Sequence, residues 1–569
     1  MNFGANAFNA GSLTLSSGTI NNAADDSGTW TVSGDVNIGT GTTLKATSGN
    51  FSVAGNWTNS ATFTAGTGTV TFNSTSTAKT ITSGGSSFYN LTFNGVGGGW
   101  SPVDALTVAN DLTMTAGTLS GTQNITVSGG DTTGNGTISL TGGTFLLDGA
   151  GSFGGNTNWQ FYNLTFGDGS VATTTTKTGT NQITTTNLLT IAANQTLDAG
   201  DDTWVLSGSG TPLSIAGTFT ANASTFKYTG SLATNIIPTT YYNLEALPSA
   251  NTITYTLGTA VSQTITCNGY LTLGNGTNTG IIITADTWDP ILDVNGVLTI
   301  AANTTFTASN SSSFTVAGNW INSGTFTHSS ATVIFDGGSA ALTTGGAASG
   351  KIFYNVIINS SGTKTLAGAI NVDGTFGLQA GTFVCTGYSQ DYAGNFTLSI
   401  GTTYTGGGAL TFDGGATQGY TDSNIIKQNI GTVVITGAST NLSLQTALTA
   451  NSLTIQTSGT LTQGANIITL GSYTQTSGTF TGGSAGIAIS GNITLSGGTF
   501  TSTSGILAVG GDWNDTGGTF ANNSGTVEFT KAAGTQTLTT QETFNNVIHS
   551  GAGTLQLAAG PSNWYNSSW

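Results

Sequence analysis

The residue types from which hydrolytic, redox and metal chemistry is built are scarce in this chain of 569 residues. Its two histidines, His328 and His549, stand 221 positions apart. In a stack of twenty-residue rungs that is about eleven rungs, on the order of 50 Å, so no shared metal or catalytic triad is expected. Cys267 and Cys385 are 118 positions apart. That is about six rungs, nearly 30 Å, too far for a disulfide. Each reads as a small buried apolar residue.

Carboxylates are the remaining candidates. Asp198, Asp201 and Asp202 form one group, and Asp286, Asp289 and Asp293 another. Loop oxygens of this kind bind Ca²⁺, so both groups are candidate calcium sites, the one cofactor the sequence raises. Neither matches an EF-hand, and no Gly-Gly-x-Gly-x-Asp pattern is repeated. Paired acids also cleave polysaccharides, and Asp201 with Asp202, or Asp286 with Asp289, would be the pair in such an enzyme. The chain holds eight Lys and no Arg, so the usual cationic partners for an acidic sugar are missing and the expectation is a non-enzyme. Asp148, Asp336 and Asp413 each end a short apolar run and precede Gly, which is turn chemistry.

The elements that must carry these residues follow from composition. Only 6% of residues are charged, Glu occurs only at positions 245, 528 and 542, and the net charge is −16. Amphipathic helices draw their solvent faces from Glu, Lys and Arg, so helices are not expected. Gly contributes 86 residues, and Thr, Ser and Asn fill most polar positions around 27 Phe and 10 Trp. Alternating runs such as Gly68-Thr69-Val70-Thr71-Phe72 suit short pleated strands, with Gly and Asn in the turns; the same runs argue against disorder. Eight scattered lysines cannot neutralise a nucleic-acid backbone or dock on an anionic membrane surface. No apolar run is long enough for a membrane-spanning helix. The first residues show no basic and apolar leader pattern.

Periodicity sets the architecture. The third residue of a Gly-Thr-aromatic/aliphatic tripeptide recurs at Leu461, Phe480, Phe500 and Phe520, with spacings of 19, 20 and 20. The same beat joins Leu44 to Phe63, Leu119 to Ile138, and Phe306 to Phe326. Twenty residues cannot fold alone, but stacked copies bury a continuous apolar column. The expectation is an all-β, right-handed parallel β-helix (β-solenoid) with rungs of about twenty residues, about 28 of them in a rod of order 130 Å. A longer period overlies the short one. Gly55-Asn56-Trp57 recurs as Gly318-Asn319-Trp320, Gly394-Asn395-Phe396 and Gly511-Asp512-Trp513. A second motif, Phe88-Tyr89-Asn90-Leu91, recurs as Phe353-Tyr354-Asn355-Val356 and Phe544-Asn545-Asn546-Val547. From the Trp or Phe to the second motif's Asn is 33, 35 and 33 residues, and Asn429 falls 33 after Phe396. Further copies at Phe161-Tyr162-Asn163 and Tyr241-Tyr242-Asn243 lack a Gly-Asn-Trp partner. Pro212, Pro238, Pro248 and Pro290 interrupt the beat, since Pro cannot donate to a ladder. The expected organisation is therefore regular rungs over 1–230, irregular rungs with longer loops over 231–296, and regular rungs over 297–569, in one continuous rod.

The run from Val53 through Gly55-Asn56-Trp57, Thr62-Phe63-Thr64 and Gly68–Phe72 to Phe88-Tyr89-Asn90-Leu91 resembles the repeats of secreted bacterial surface proteins, β-helical adhesins of the autotransporter and filamentous-haemagglutinin kind. The resemblance is one of repeat style across most of the chain and carries no catalytic residue. It implies a right-handed β-helix at or outside the cell surface. The first expectation is a structural component of an extracellular fibre, stalk or sheath that assembles with copies of itself through its open sheet edges, with Trp564, Tyr565 and Trp569 as a junction or cap. The second is an adhesin whose loops in 231–296 recognise surface glycans or protein; the third is a polysaccharide-acting enzyme. Thr-x-Thr pairs such as Thr62-Phe63-Thr64 and Thr479-Phe480-Thr481 have the form of water-ordering ranks on ice-binding solenoids, and equally that of plain strand alternation. Asn-x-Ser/Thr sequons, for example at Asn90 and Asn163, allow glycosylation or internal Asn ladders.

Overall fold

A computed structural model describes residues 3–20, 27–310 and 313–558; Trp564, Tyr565 and Trp569 lie outside them. Among these residues there is no helix, and strand accounts for 52% of the chain. Strands of two to thirteen residues pair in parallel with strands about 21 residues away, forming stacked coils of a parallel β-solenoid. The chain divides into two compact units. Unit 1 is Met1–Thr259 with Ile265–Ile283, and unit 2 is Ala260–Thr264 with Thr284–Trp569.

Each unit is built on columns of inward side chains. In unit 1, Phe8, Trp30, Phe51, Val70, Leu91 and Leu112 lie in direct register on consecutive coils. In unit 2, Leu442, Leu461, Phe480, Phe500 and Phe520 do the same. The Gly-Thr-x beat is thus an interior stack, as its spacing predicts: Leu44 registers on Phe63, Leu119 on Ile138, and Phe306 on Phe326, all buried. Within unit 1 the coil lengthens late. Leu244 registers on Leu271 and Thr240 on Thr266, offsets of 27 and 26 against 19 or 20 in the Gly-Thr-x coils.

The longer period is a recurring aromatic cluster. Trp57, Trp320 and Trp513 are fully buried. Each meets three phenylalanines: that of its own Gly-Thr-Phe, that of the next strand, and the first residue of the Phe-Tyr-Asn or Phe-Asn-Asn motif. For Trp320 the partners are Phe326 (ring centroids 5.1 Å), Phe335 (5.9 Å) and Phe353 (5.2 Å). For Trp57 they are Phe63 (4.8 Å), Phe72 (6.2 Å) and Phe88 (5.3 Å). For Trp513 they are Phe520 (5.0 Å), Phe529 (6.3 Å) and Phe544 (5.3 Å). Most are edge-on, the arrangement the ring quadrupole favours. The spacing of 33 to 35 residues is the path length that returns the chain to the same tryptophan. In the copy at Phe396, Tyr404, Phe412 and Tyr420 supply the neighbouring rings, and Lys427 stands where Phe88 and Phe544 stand in the other copies.

The flanking Gly and Asn are explained by the coils above and below. A Cβ on Gly55, Gly318, Gly394 or Gly511 would come closer than 3.0 Å to the backbone of Gly34, Gly296, Gly374 or Gly491 respectively. Glycine therefore sits on glycine because the backbones touch. The next residue needs only an acceptor oxygen. Asn56, Asn319 and Asn395 take the backbone N–H of Thr80 (2.9 Å), Ala341 (2.8 Å) and Gly419 (2.7 Å), and Asp512 takes that of Thr537 (2.9 Å). This is why Asp replaces Asn there without loss. The second motif's Asn needs both ends of its amide. Asn355 donates to Thr332 Oγ1 (3.2 Å) on the preceding coil and accepts from Thr375 N–H (2.8 Å) on the following one. Asn243 bridges Thr225 Oγ1 and Tyr270 N–H in the same way.

Candidate functional site

Both acidic groups are tied into neighbouring coils. Asp198, at the end of strand Gln195–Asp198, accepts from Gly200 N–H (3.1 Å) and from the Asn222 amide one coil on. Asp201 accepts from Ala223 N–H (3.3 Å). Asp202 pairs with the Lys177 ammonium at 2.7 Å. Lys177 faces inward and also donates to Thr178 O (2.9 Å). Burial holds its pKa below the ordinary lysine value, partly offset by Asp202. At Asp202 the chain thus supplies its own cation. In the second group, Asp286 and Asp289 converge on Asn310: Asp286 takes its side-chain amide (2.9 Å), and Asp289 its backbone N–H (3.0 Å) together with the Ser309 hydroxyl (3.0 Å). Asp293 stands apart and accepts from Thr315 Oγ1 (2.9 Å). Among the described residues, no three His, Cys, Asp or Glu side chains form a group able to hold a metal.

The lysines are likewise internal fittings. Lys351 donates to the carbonyls of Asn322 (3.1 Å) and Gly324, Lys364 to Ala317 O (2.7 Å), and Lys427 to Asp422 O (2.6 Å) and Asn424 O (2.7 Å). Lys531 donates to Thr535 O (2.6 Å), and Lys227 pairs with Glu245 at 3.1 Å. With Lys177, six of the eight lysines bind groups of the chain itself.

His328 packs its ring against Tyr354 (5.5 Å), lies 3.7 Å from Asp373 Oδ2, and takes Ser330 N–H on Nδ1 (3.1 Å). His549 ends strand Asn546–His549. Cys267 and Cys385 are buried thiols, and burial pushes Cys385 up to about 12. Asp148 accepts from Asp168 N–H (2.7 Å); Asp336 precedes Gly337, whose φ is 67°. The sequon residue Asn163 accepts from the Asn187 amide (2.7 Å), and Asn90 from that of Asn110 (2.8 Å), so both belong to inter-coil ladders.

One group escaped the sequence reading. Asp391, in strand Gln390–Tyr392, has Asp373 and Asp413 on the adjoining coils. Burial raises its pKa to about 6, helped by repulsion from Asp413 and Asp373. Asp515 is raised to about 6 by burial, with Glu542 contributing; Asp336 and Asp413 also move up, chiefly through burial. Three aspartates one coil apart were the available signal. A carboxyl whose pKa is higher in the fold than the ordinary ~3.9 adds stability that is complete below that value and lost as pH rises through the folded pKa. All four carboxyls lie in unit 2; Asp512 there shifts the other way, lowered by its bond from Thr537 N–H. Unit 2 is therefore expected to melt at a higher temperature at pH 4.5 than at pH 7.5, and Asp391→Asn with Asp515→Asn to flatten the difference. Calorimetry at the two pH values checks this; equal melting temperatures in the parent chain would refute it.

No family model, curated protein or solved structure matches the chain.

Proposed function

We propose that the chain is a structural component of an extracellular fibre, stalk or sheath, assembling end-to-end or laterally with copies of itself. The observation that carries this is the use made of its polar chemistry. Carboxylates, lysines and motif asparagines spend their hydrogen bonds joining one coil to the next, which is what a stiff stack needs. The surface left over is mostly Thr, Ser, Asn and Gly. The repeat style points to a bacterial cell surface, and the same uses of charge support a chain without a cofactor, without a nucleic-acid partner and without catalysis. Negative-stain microscopy should show filaments or lateral bundles that lengthen with concentration. Isolated short particles at every concentration would end this reading. Calcium binding by calorimetry that disappears on replacing Asp198 and Asp201, or Asp286 and Asp289, would restore the calcium sites. Glycan turnover lost on replacing Asp201 and Asp202 would establish the enzyme.

A second reading, an adhesin for surface glycan or protein, is favoured by one loop. Ile425 and Ile426 are 89% and 83% exposed, yet their loop is pinned. Buried Asp422 takes the N–H groups of Asn424 (2.9 Å) and Gln428 (2.6 Å), and Lys427 holds two carbonyls beneath. In 231–296, Leu232, Val261 and Trp288 are also exposed. Replacing Ile425 and Ile426 by Ser should abolish cell-surface binding and leave the melting temperature unchanged; binding retained by that variant would discard this loop as the adhesive element.

A further inference from the structure

Thr-x-Thr alternation recurs throughout the sequence, but only register decides whether the threonines line up. In unit 2 they do, over four consecutive coils. Thr460, Thr479, Thr499 and Thr519 form one outward rank, and Thr462, Thr481, Thr501 and Ala521 a second beside it. The residue between the ranks points inward on every coil: Leu461, Phe480, Phe500 and Phe520, all buried. The rings of Phe480 and Phe500 lie 4.5 Å apart at 8°, and those of Phe500 and Phe520 5.9 Å apart at 19°. A stack of near-parallel rings under an unbroken register keeps the face above it even. No outward residue of the four strands is charged.

The hydroxyls distinguish this face. Elsewhere, outward threonines are bonded within the chain, as Thr71 is to Asn50 Oδ1 (2.7 Å), Thr315 to Asp293 Oδ1 (2.9 Å) and Thr375 to Asn355 Oδ1 (3.0 Å). Here Thr462 alone is so bonded, to Asn441 Oδ1 (2.9 Å). The hydroxyls of Thr460, Thr479, Thr481, Thr499, Thr501 and Thr519 have no partner among the described residues and face water. Neighbouring coils are about 4.8 Å apart, and residues two apart on a strand about 6.7 Å. Both lengths are close to oxygen repeats of the ice lattice. Threonine is β-branched and stiff at χ1, so each rank repeats methyl and hydroxyl in fixed alternation. The methyls impose order on the water above them, and the hydroxyls anchor it.

We propose that the face formed by Thr460–Thr462, Thr479–Thr481, Thr499–Thr501 and Thr519–Ala521 binds ice. This stands independently of the fibre reading. The test uses the full chain. It should partition into ice grown slowly on a cold surface and should inhibit recrystallisation in a frozen sucrose film. Thr481→Tyr with Thr499→Tyr places two bulky outward rings across both ranks, on positions where tyrosine suits a strand. That variant should lose both effects with unchanged circular dichroism and melting temperature. Thr327→Tyr, outward on a rank of two coils, should retain them. Exclusion of the parent chain from ice, or undiminished activity in the double variant, overturns the proposal. So does a loss accompanied by a change of particle size in light scattering, which would make the face a contact between copies. Retention on crystalline cellulose without partition into ice would make it a polysaccharide face and overturn the proposal equally.

Discussion

Trp320→Ala is expected to destabilise unit 2 by about 3–5 kcal/mol, the range for removing a large aromatic from a core that cannot collapse around the gap. Collapse is blocked on every side. Trp320 is held in register between Leu298 and Leu342 on the adjoining coils, and Phe326, Phe335 and Phe353 converge on it from three further strands or turns. Those phenylalanines also pack on one another, Phe326 with Phe353 at 5.5 Å and Phe335 with Phe353 at 6.0 Å, so none can move into the space without leaving another. Trp320→Phe should cost far less, about 1.5 kcal/mol or under. The slot already holds Phe396 in one copy, and the Trp320 indole N–H is buried without a hydrogen-bond acceptor, so its loss removes an unsatisfied donor. Denaturant unfolding of the two variants checks the contrast. Because each coil contacts mainly its neighbours, hydrogen exchange should show faster opening around 298–355 in Trp320→Ala and unchanged protection in the Leu461–Phe520 stack. Equal costs for Ala and Phe would mean the cluster is not the determinant of the longer period.

The interior was readable from sequence because inward positions obey one rule: an apolar residue every coil. Leu461, Phe480, Phe500 and Phe520 keep spacings of 19 and 20, and the structure stacks them in register. The Trp-to-Asn spacing was readable as a distance, but its cause, a path that returns to the same tryptophan, was not. Charged residues were harder, because what they meet depends on register between coils of unequal length. Asp202 read as a calcium ligand from its neighbours Asp198 and Asp201; its partner is Lys177, 25 residues back on the adjacent coil. Asp373, Asp391 and Asp413 sit 18 and 22 residues apart, and nothing in either number alone places them on adjoining coils. Unpartnered hydroxyls on the Thr460–Thr519 rank are invisible to sequence for the same reason. Thr71 and Thr481 have identical chemistry, and only the neighbouring coil decides that Asn50 takes one hydroxyl and nothing takes the other.

Gly318→Ala is expected to be at least as damaging as a core truncation per atom changed. It adds one methyl group where backbone already stands: the new Cβ would overlap the carbonyl group of Gly296 and approach Val297 N to 2.9 Å. Overpacking a side-chain core costs about 1–3 kcal/mol because side chains can shift. Here the obstacle is main chain held by the inter-coil bond from Gly318 N–H to Gly296 O (2.9 Å), so the cost should reach the top of that range or exceed it. The strain would fall on the bonds that Asn319 makes to Ala341 N–H and that Leu298 N–H makes to Asn319 O, prising the coil on the 296 side from the coil on the 340 side. Gly338→Ala is the matched control. It lies twenty residues on, a Cβ there meets nothing within 4 Å, and its φ is not positive, so it should change stability by under about 1 kcal/mol and, if anything, raise it by restricting the unfolded chain. Equal stability of the two variants would show that glycine stands in the Gly-Asn-Trp motif for its turn preference alone. A large loss confined to Gly318→Ala would show that the motif's first residue sets how closely two coils stack, and that the tryptophan two positions later reaches its cluster because of it.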